Sequence, residues 1–172
     1  MTAWLTVEDL RGYVNNTKAT GAEDASLQLS LEVGVGKVEE LCGPVVETTV
    51  YERVTGSGPE LVLSFRAESL TSVATVAGSV LTLADYRVDG SQLLRREDDG
   101  RITGPLNVAY VAGWATAPWW AKSAALDIAA QDWRSHPRLS LPGQAPVPSG
   151  FLVPNKAAEK MKDHLLAPLG FA

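Results

Sequence analysis

The feature that most constrains this fold is a strand that passes through a glycine turn into an alanine-rich helix, between Asn107 and Trp133. Apolar residues alternate along 106–111, which predicts a strand. Gly113 interrupts the alternation, and Pro118 suits a helix start because its missing N–H would have no partner there. The helix predicted over 118–134 is rich in alanine, which lets helices pack closely. We therefore expect a scaffold whose role depends on its shape.

Two more helices are predicted over residues 6–14 and 24–42, where apolar residues recur at about the helical period. Gly43 suits the left-handed cap that often ends a helix. Gly34 and Gly36 lie inside the second helix, where a glycine costs about 1 kcal/mol relative to alanine. We interpret both glycines as places where a neighbouring helix comes close.

Between these helices and the third one, the period changes to two residues, which predicts an insert of short antiparallel strands over 45–111. Valine, threonine and tyrosine are frequent there, and glycine-containing turns separate the strands. One strand is expected at Val80–Leu83, and Asp89-Gly90 is typical of a tight hairpin turn. Strands grouped between helices favour the α+β class over alternating α/β.

The last region, over residues 135–172, is predicted to be an extended arm. Four prolines between Ser135 and Gly150 prevent a continuous helix and indicate a linker. A short helix follows at about Lys156–Leu166. The complete prediction is an α+β protein: a core over 1–134, made of a small α-helical bundle with an antiparallel β insert, and a proline-rich linker with a C-terminal arm helix.

The composition excludes several classes of protein. The chain has 172 residues, of which 45% are hydrophobic, so a packed core is expected. Its net charge of -5 argues against a sequence-reading DNA-binding protein, which needs a basic face. Cys42 is the sole cysteine, so no internal disulfide is expected. No apolar run suits a membrane span, the first residues do not resemble a signal peptide, and no membrane partner is expected.

The sequence contains no clear motif for catalysis or metal binding. Val33–Lys37 has glycines and a lysine, but not the spacing of a phosphate-binding loop. His136 and His164 lie on opposite sides of the linker, so no metal site is indicated, and His164 is interpreted as a surface residue. Asp98 and Asp99 are expected in a solvated loop, whereas an acid catalyst needs a buried carboxylate. We predict a non-enzymatic protein without catalytic residues, cofactor or metal.

Tryptophans are concentrated around the start of the third helix. An aromatic platform for a ligand is one interpretation, and packing in the core or between subunits is the favoured one. The same packing role is predicted for an apolar stripe of the third helix. The residues assigned to core or subunit packing are Trp114, Trp119, Trp120, Ala121, Ala125 and Ile128.

The order of these elements resembles that of the head-to-tail connector, or head-completion adaptor, proteins of long-tailed double-stranded DNA bacteriophages. The resemblance depends on the strand residues Val108–Gly113, on Pro118 and on the alanine-rich residues 124–133. The opening over residues 5–10 and the ending over residues 153–158 are also similar to parts of that family. The resemblance therefore extends over most of the chain.

The resemblance implies a structural virion protein that attaches below the portal as a ring of about twelve copies. Such a ring extends the DNA channel and provides the docking surface for the next neck or tail protein. An acidic channel wall would let DNA slide without sequence-specific contacts. The expected location is the neck of the virion, at the interface of head and tail, after assembly in the host cytoplasm.

The terminal helix is expected to dock on the portal or on a neighbouring subunit, because such arms gain affinity by ordering on a partner. The residues assigned to this partner interface are Pro154, Lys156, Met161, Leu165 and Leu166. Alternatively, the helix packs on its own domain. Two other functions remain open: another neck or tail-completion protein of the stopper kind, and a small ligand-binding α+β domain that uses the Trp114–Trp120 cleft.

Overall fold

The computed structural model has four α-helices and eight β-strands in the part of the chain that it describes. The described residues are 4–15, 21–88, 92–135 and 153–166. The helices are α1 (Val7–Tyr13), α2 (Gly21–Cys42), α3 (Trp119–Ser135) and α4 (Asn155–Met161), and a 3₁₀ turn at Lys162–His164 follows α4. The strands are β1 (Thr48–Val54), β2 (Ser57–Gly58), β3 (Glu60–Val62), β4 (Ala67–Thr75), β5 (Tyr86–Val88), β6 (Leu93–Arg96), β7 (Ile102–Thr103) and β8 (Leu106–Ala112). This mixture of helices and antiparallel strands confirms the predicted α+β class.

The chain divides into two compact units. We call Met1–Cys42 with Ala117–Leu165 the helical unit, and Gly43–Thr116 with Leu166–Ala172 the β unit. The helical unit contains α1, α2, α3 and α4, so the predicted boundary at residue 134 falls inside it. The predicted proline-rich linker lies mostly at residues 136–152, outside the described residues.

The first helix begins where its sequence predicts. Thr6 forms a capping box: its Oγ1 accepts from the Asp9 N–H at 3.2 Å, and the Asp9 carboxylate accepts from the Thr6 N–H at 2.8 Å. Leu10 is fully buried, and Arg11 forms an ion pair with Asp24 at the start of α2. These contacts hold α1 in the helical unit.

Helices α2 and α3 pack closely at Gly34. A Cβ atom added at Gly34 would lie 3.0 Å from the Cβ of Ala129 and would collide with the carbonyl oxygen of Ala125. The close helix contact predicted from this glycine is therefore confirmed. The same prediction is wrong for Gly36, because a Cβ there would meet open space.

The β unit contains three small sheets, and all their strand pairings are antiparallel. β8 lies between β1 and β4, β6 lies between β3 and β5, and β2 pairs with β7. The alternation predicted for β8 is present in part: Leu106, Val108 and Tyr110 are buried and Asn107 is exposed, but Ala109 is buried as well. Leu106, Val108 and Tyr110 contribute to a core whose other buried members are Val54, Leu61, Leu63, Ala67, Val73, Leu94, Ile102 and Ala112.

The predicted strand at Val80–Leu83 is wrong. Val80 makes a single bridge with Ala74 and is 78% exposed, and Leu83–Asp85 forms a 3₁₀ turn. Leu81 packs against the core of the β unit, but Val80 and Leu83 are exposed, so the segment returns as a loop beside β4. The predicted hairpin turn at Asp89-Gly90 lies outside the described residues.

Gly113 ends β8 for a steric reason. Its φ of +93° is a conformation that favours glycine, and a Cβ there would collide with the carbonyl group of Val46. The next residue, Trp114, forms a parallel bridge with Val46. The chain therefore leaves the sheet at the position where the sequence predicts a break.

Candidate functional site

The short helix α4 packs against α3 within the helical unit. Ala157 and Met161 are buried, with relative exposures of 0% and 1%. The Lys160 ammonium donates to the Ser123 hydroxyl at 2.7 Å and to the Asp127 carboxylate at 2.5 Å. Because the Asp127 side chain is only 10% exposed, this ion pair is partly desolvated and fixes the position of α4.

The residues predicted to form the partner interface therefore have different surroundings. Met161 is buried inside the helical unit, Lys156 and Leu165 are exposed, and Pro154 and Leu166 are half-buried. The helix packs on its own domain, which is the alternative that the sequence left open. Only part of the predicted interface is available to another protein.

The adjacent tryptophans at the start of α3 have opposite surroundings. Trp120 is 7% exposed and stacks on His164, with ring centroids 4.0 Å apart and 7° between the planes. His164 is thus half-buried and not the surface residue expected from the sequence. Trp119 is 75% exposed, because successive helix residues point about 100° apart and Trp120 takes the inward direction. Trp119 contributes no core packing, and Trp114 is half-buried.

The apolar stripe of α3 lies inside the helical unit. Ala121 and Ala125 are fully buried, and Ile128 is 2% exposed. Gly34 of α2 lies directly against Ala125. These residues pack helix against helix within one chain, so they are not available to a second subunit.

A cleft of about 350 Å³ lies beside the carboxyl end of α3 and the amino end of α4, and we call it the α3–α4 cleft. Its lining residues are Tyr13, Asp127, Ala130, Gln131, Arg134, Pro154 and Lys156. The Tyr13 hydroxyl donates to the Asp127 carboxylate, and this hydrogen bond raises the pKa of Tyr13. Arg134 and Lys156 are exposed, and neither forms an ion pair with a described carboxylate. The cleft can therefore receive a carboxylate.

The outer surface of α2 was missed by the sequence interpretation. Leu29 and Val33 are 65% and 36% exposed, and they lie on one side of the helix with Ala25 and Gly36. We call these four residues the outer face of α2. The signal was available, because α2 has apolar residues both on this side and on the buried side that packs on α3. A helix that is apolar on more than one side generally has more than one contact.

The acids of the charged loop over residues 97–104 of the β unit form ion pairs. The Asp98 carboxylate accepts from the Arg96 guanidinium at 2.8 Å and from the Gly100 N–H at 3.0 Å, and these bonds lower the pKa of Asp98. Asp99 pairs with Arg87 at 2.7 Å. A general acid is favoured by a raised pKa, whereas the pKa of Asp98 is lowered by its ion pair with Arg96.

Two side chains of the β unit, Tyr110 and Glu52, form hydrogen bonds to the backbone at residues 64–65. The Tyr110 hydroxyl accepts from the Phe65 N–H at 3.1 Å, and burial raises the pKa of Tyr110. The Glu52 carboxylate accepts from the Ser64 N–H at 3.0 Å. These bonds hold residues 64–65 over the sheet.

The described ranges were compared with the requirements of a metal site, a membrane span and a reactive thiol. They contain no group of three or more His, Cys, Asp or Glu residues that could hold a metal ion. None of their helices has both the length and the apolar character needed to cross a membrane. Cys42 is buried, which raises the pKa of its thiol to about 11 and keeps it protonated at neutral pH.

Comparison with known proteins finds a similar fold but no family. No protein-family model matches the chain, and no curated protein matches it. Among solved structures, the chain is similar to one from the neck of an empty GTA particle, computed with C6 symmetry. The TM-score is 0.62 at 19% sequence identity, over 98% of this chain and 92% of the other. At this identity the likeness establishes a shared fold.

Proposed function

We propose that this chain is a structural protein of the neck of a tailed, phage-like particle. The observation that carries the proposal is the fold, which is shared over nearly the whole chain with a protein from the neck of a gene transfer agent particle. The sequence supports it independently, because the strand, turn and alanine-rich helix at Val108–Trp133 resemble those of phage connector proteins.

Within the neck, the proposed role is that of an adaptor. About twelve copies form a ring below the portal, extend the DNA channel and present a docking surface to the next neck or tail protein. The C6 symmetry of the particle that contains the similar chain supports a copy number divisible by six. Exposed side chains near the end of the chain, such as Leu165, are available for the portal or the next neck protein.

The surface chemistry supports passage of DNA without sequence recognition. The net charge of -5 repels a phosphate backbone, and sequence-reading proteins need a basic face for affinity. In the β unit, Arg87, Arg95 and Arg96 are each engaged by carboxylates and do not form a free basic patch. DNA in the channel would therefore meet a surface on which it slides.

Deleting the gene for this chain from the genome that encodes the particle is expected to yield heads that contain DNA but have no tails. The reason is that the proposed adaptor provides a docking surface between the two parts. Negative-stain electron microscopy counts heads, free tails and complete particles, and supplying the wild-type chain in trans should restore complete particles. Normal numbers of tailed particles without the chain would contradict the proposal.

A further inference from the structure

We propose that the outer face of α2 in one copy of this chain docks on the α3–α4 cleft of the next copy. The proposal rests on the proposed function, because a ring requires two different surfaces on each subunit that meet head to tail. Both surfaces lie in the helical unit and share no residue, so each copy can use both at once.

The outer face of α2 is an exposed apolar surface. Leu29 is 65% exposed and Val33 is 36% exposed, and they lie four residues apart on one side of the helix. Glu32 is exposed beside them. Large apolar side chains in a row on a helix surface mark an interaction site more often than isolated ones. The opposite side of α2 packs on α3, so this second apolar side is free to contact a partner outside its own unit.

The α3–α4 cleft offers space for a side chain and cations at its edge. Its volume of about 350 Å³ can take an apolar side chain, and Ala130 and Pro154 contribute apolar surface to it. Arg134 and Lys156 provide two exposed cations at its edge, and neither is paired with a described carboxylate.

Charge complementarity identifies the occupant of the cleft as a second copy. On α2, Glu39 accepts from Trp4 at 3.0 Å and Glu40 pairs with Lys37 at 2.8 Å, so both are engaged in their own unit. Glu32 bonds only to the amide of Gln28, a neutral group, among the described residues. Docking Leu29 into the cleft brings Glu32 toward the two unpaired cations, and matched charges at a rim select the correct partner.

Charge reversal in the full-length chain tests this contact. Glu32→Lys and Arg134→Glu should each weaken self-association by about tenfold or more, because each places like charges in contact. The double variant Glu32→Lys/Arg134→Glu should restore association, and so should mixing the two single variants, since each then supplies the charge that the other needs. Light scattering over a concentration series at low salt measures the association, because salt screens exposed charges.

Two controls separate this effect from misfolding and from net charge. Glu68→Lys makes the same change of charge on the β unit and should leave association unchanged. Leu29→Ser should weaken association without altering charge, and circular dichroism checks that each variant keeps its helices. Both checks use surface positions, which substitutions rarely destabilise by more than about 0.5 kcal/mol.

Three outcomes would overturn the contact. Wild-type association that neither reversal changes would mean that the ring uses other surfaces. A wild-type chain that stays monomeric at every concentration would mean that these surfaces do not bind each other. Single variants that associate normally but fail to bind the isolated portal would assign the surfaces to the portal. None of these outcomes tests the proposed role in the neck, which is tested separately by deleting the gene and counting tailed particles.

Discussion

Replacing Gly34 with alanine is expected to lower the free energy of unfolding by about 3 kcal/mol. The added methyl group would collide with the carbonyl oxygen of Ala125 and lie 3.0 Å from the Cβ of Ala129, so α2 and α3 would have to separate. Backbone atoms of a packed helix cannot move aside as a flexible side chain can. Urea denaturation followed by circular dichroism measures the loss.

Gly36→Ala is the matched control for this prediction. It makes the same chemical change two residues away in the same helix, at a position where a Cβ meets open space. Alanine favours the helix over glycine, so this variant should be more stable than the wild type by about 0.5 kcal/mol. Equal effects of the two substitutions would contradict the packing of α2 on α3 at Gly34.

Truncating Met161 to alanine is expected to cost about 3 kcal/mol, because the side chain is 1% exposed and its removal leaves a cavity under α4. The loss should appear first as detachment of α4, seen as faster amide hydrogen exchange over 155–161 at lower denaturant than global unfolding requires. The helix has only seven residues, so it depends on this packing for its stability.

Leu165→Ala is the corresponding control, since Leu165 is 52% exposed and should lose less than about 0.5 kcal/mol. Comparing the two variants should show that the buried side chain of Met161 stabilises the fold, whereas the exposed side chain of Leu165 does not. If Met161→Ala were as stable as the wild type, α4 would not be packed on α3, and a free docking arm would describe it better.

Where the sequence has a strong local signal, the helix and strand predictions hold. The capping residues at Thr6 and Asp9 define the start of α1. The alternation along β8 is present in part, and the break at Gly113 has a steric cause in the nearby backbone. Predictions of this kind succeed because the physical cause lies within a few residues of the signal.

The packing of α4 could not be predicted, because its signal is ambiguous. Ala157 and Met161 lie four residues apart and form an apolar stripe that would suit its own domain or a partner equally. The surroundings of Trp119 and Trp120 were also undetermined, since the register of α3 decides which of two adjacent residues faces inward. Tertiary contacts settle both cases.

Some strands of the β unit cannot be predicted from the periodicity of apolar residues. β2 and β7 have two residues each, too few for an alternating pattern, and they form only by pairing with each other. Conversely, the Val80–Leu83 segment is rich in apolar residues but makes a single bridge to β4, between Val80 and Ala74. A short apolar segment forms a strand only where a neighbouring strand and a core can cover it.

The measurement that tests the central claim most directly is cryo-electron microscopy of purified particles in which this chain has an added epitope tag, labelled with antibody fragments. The account predicts a closed ring of this chain between head and tail, with a copy number divisible by six and label around the neck in every complete particle. Complete particles whose neck contains no density for the chain, or whose label lies elsewhere on the particle, would contradict it.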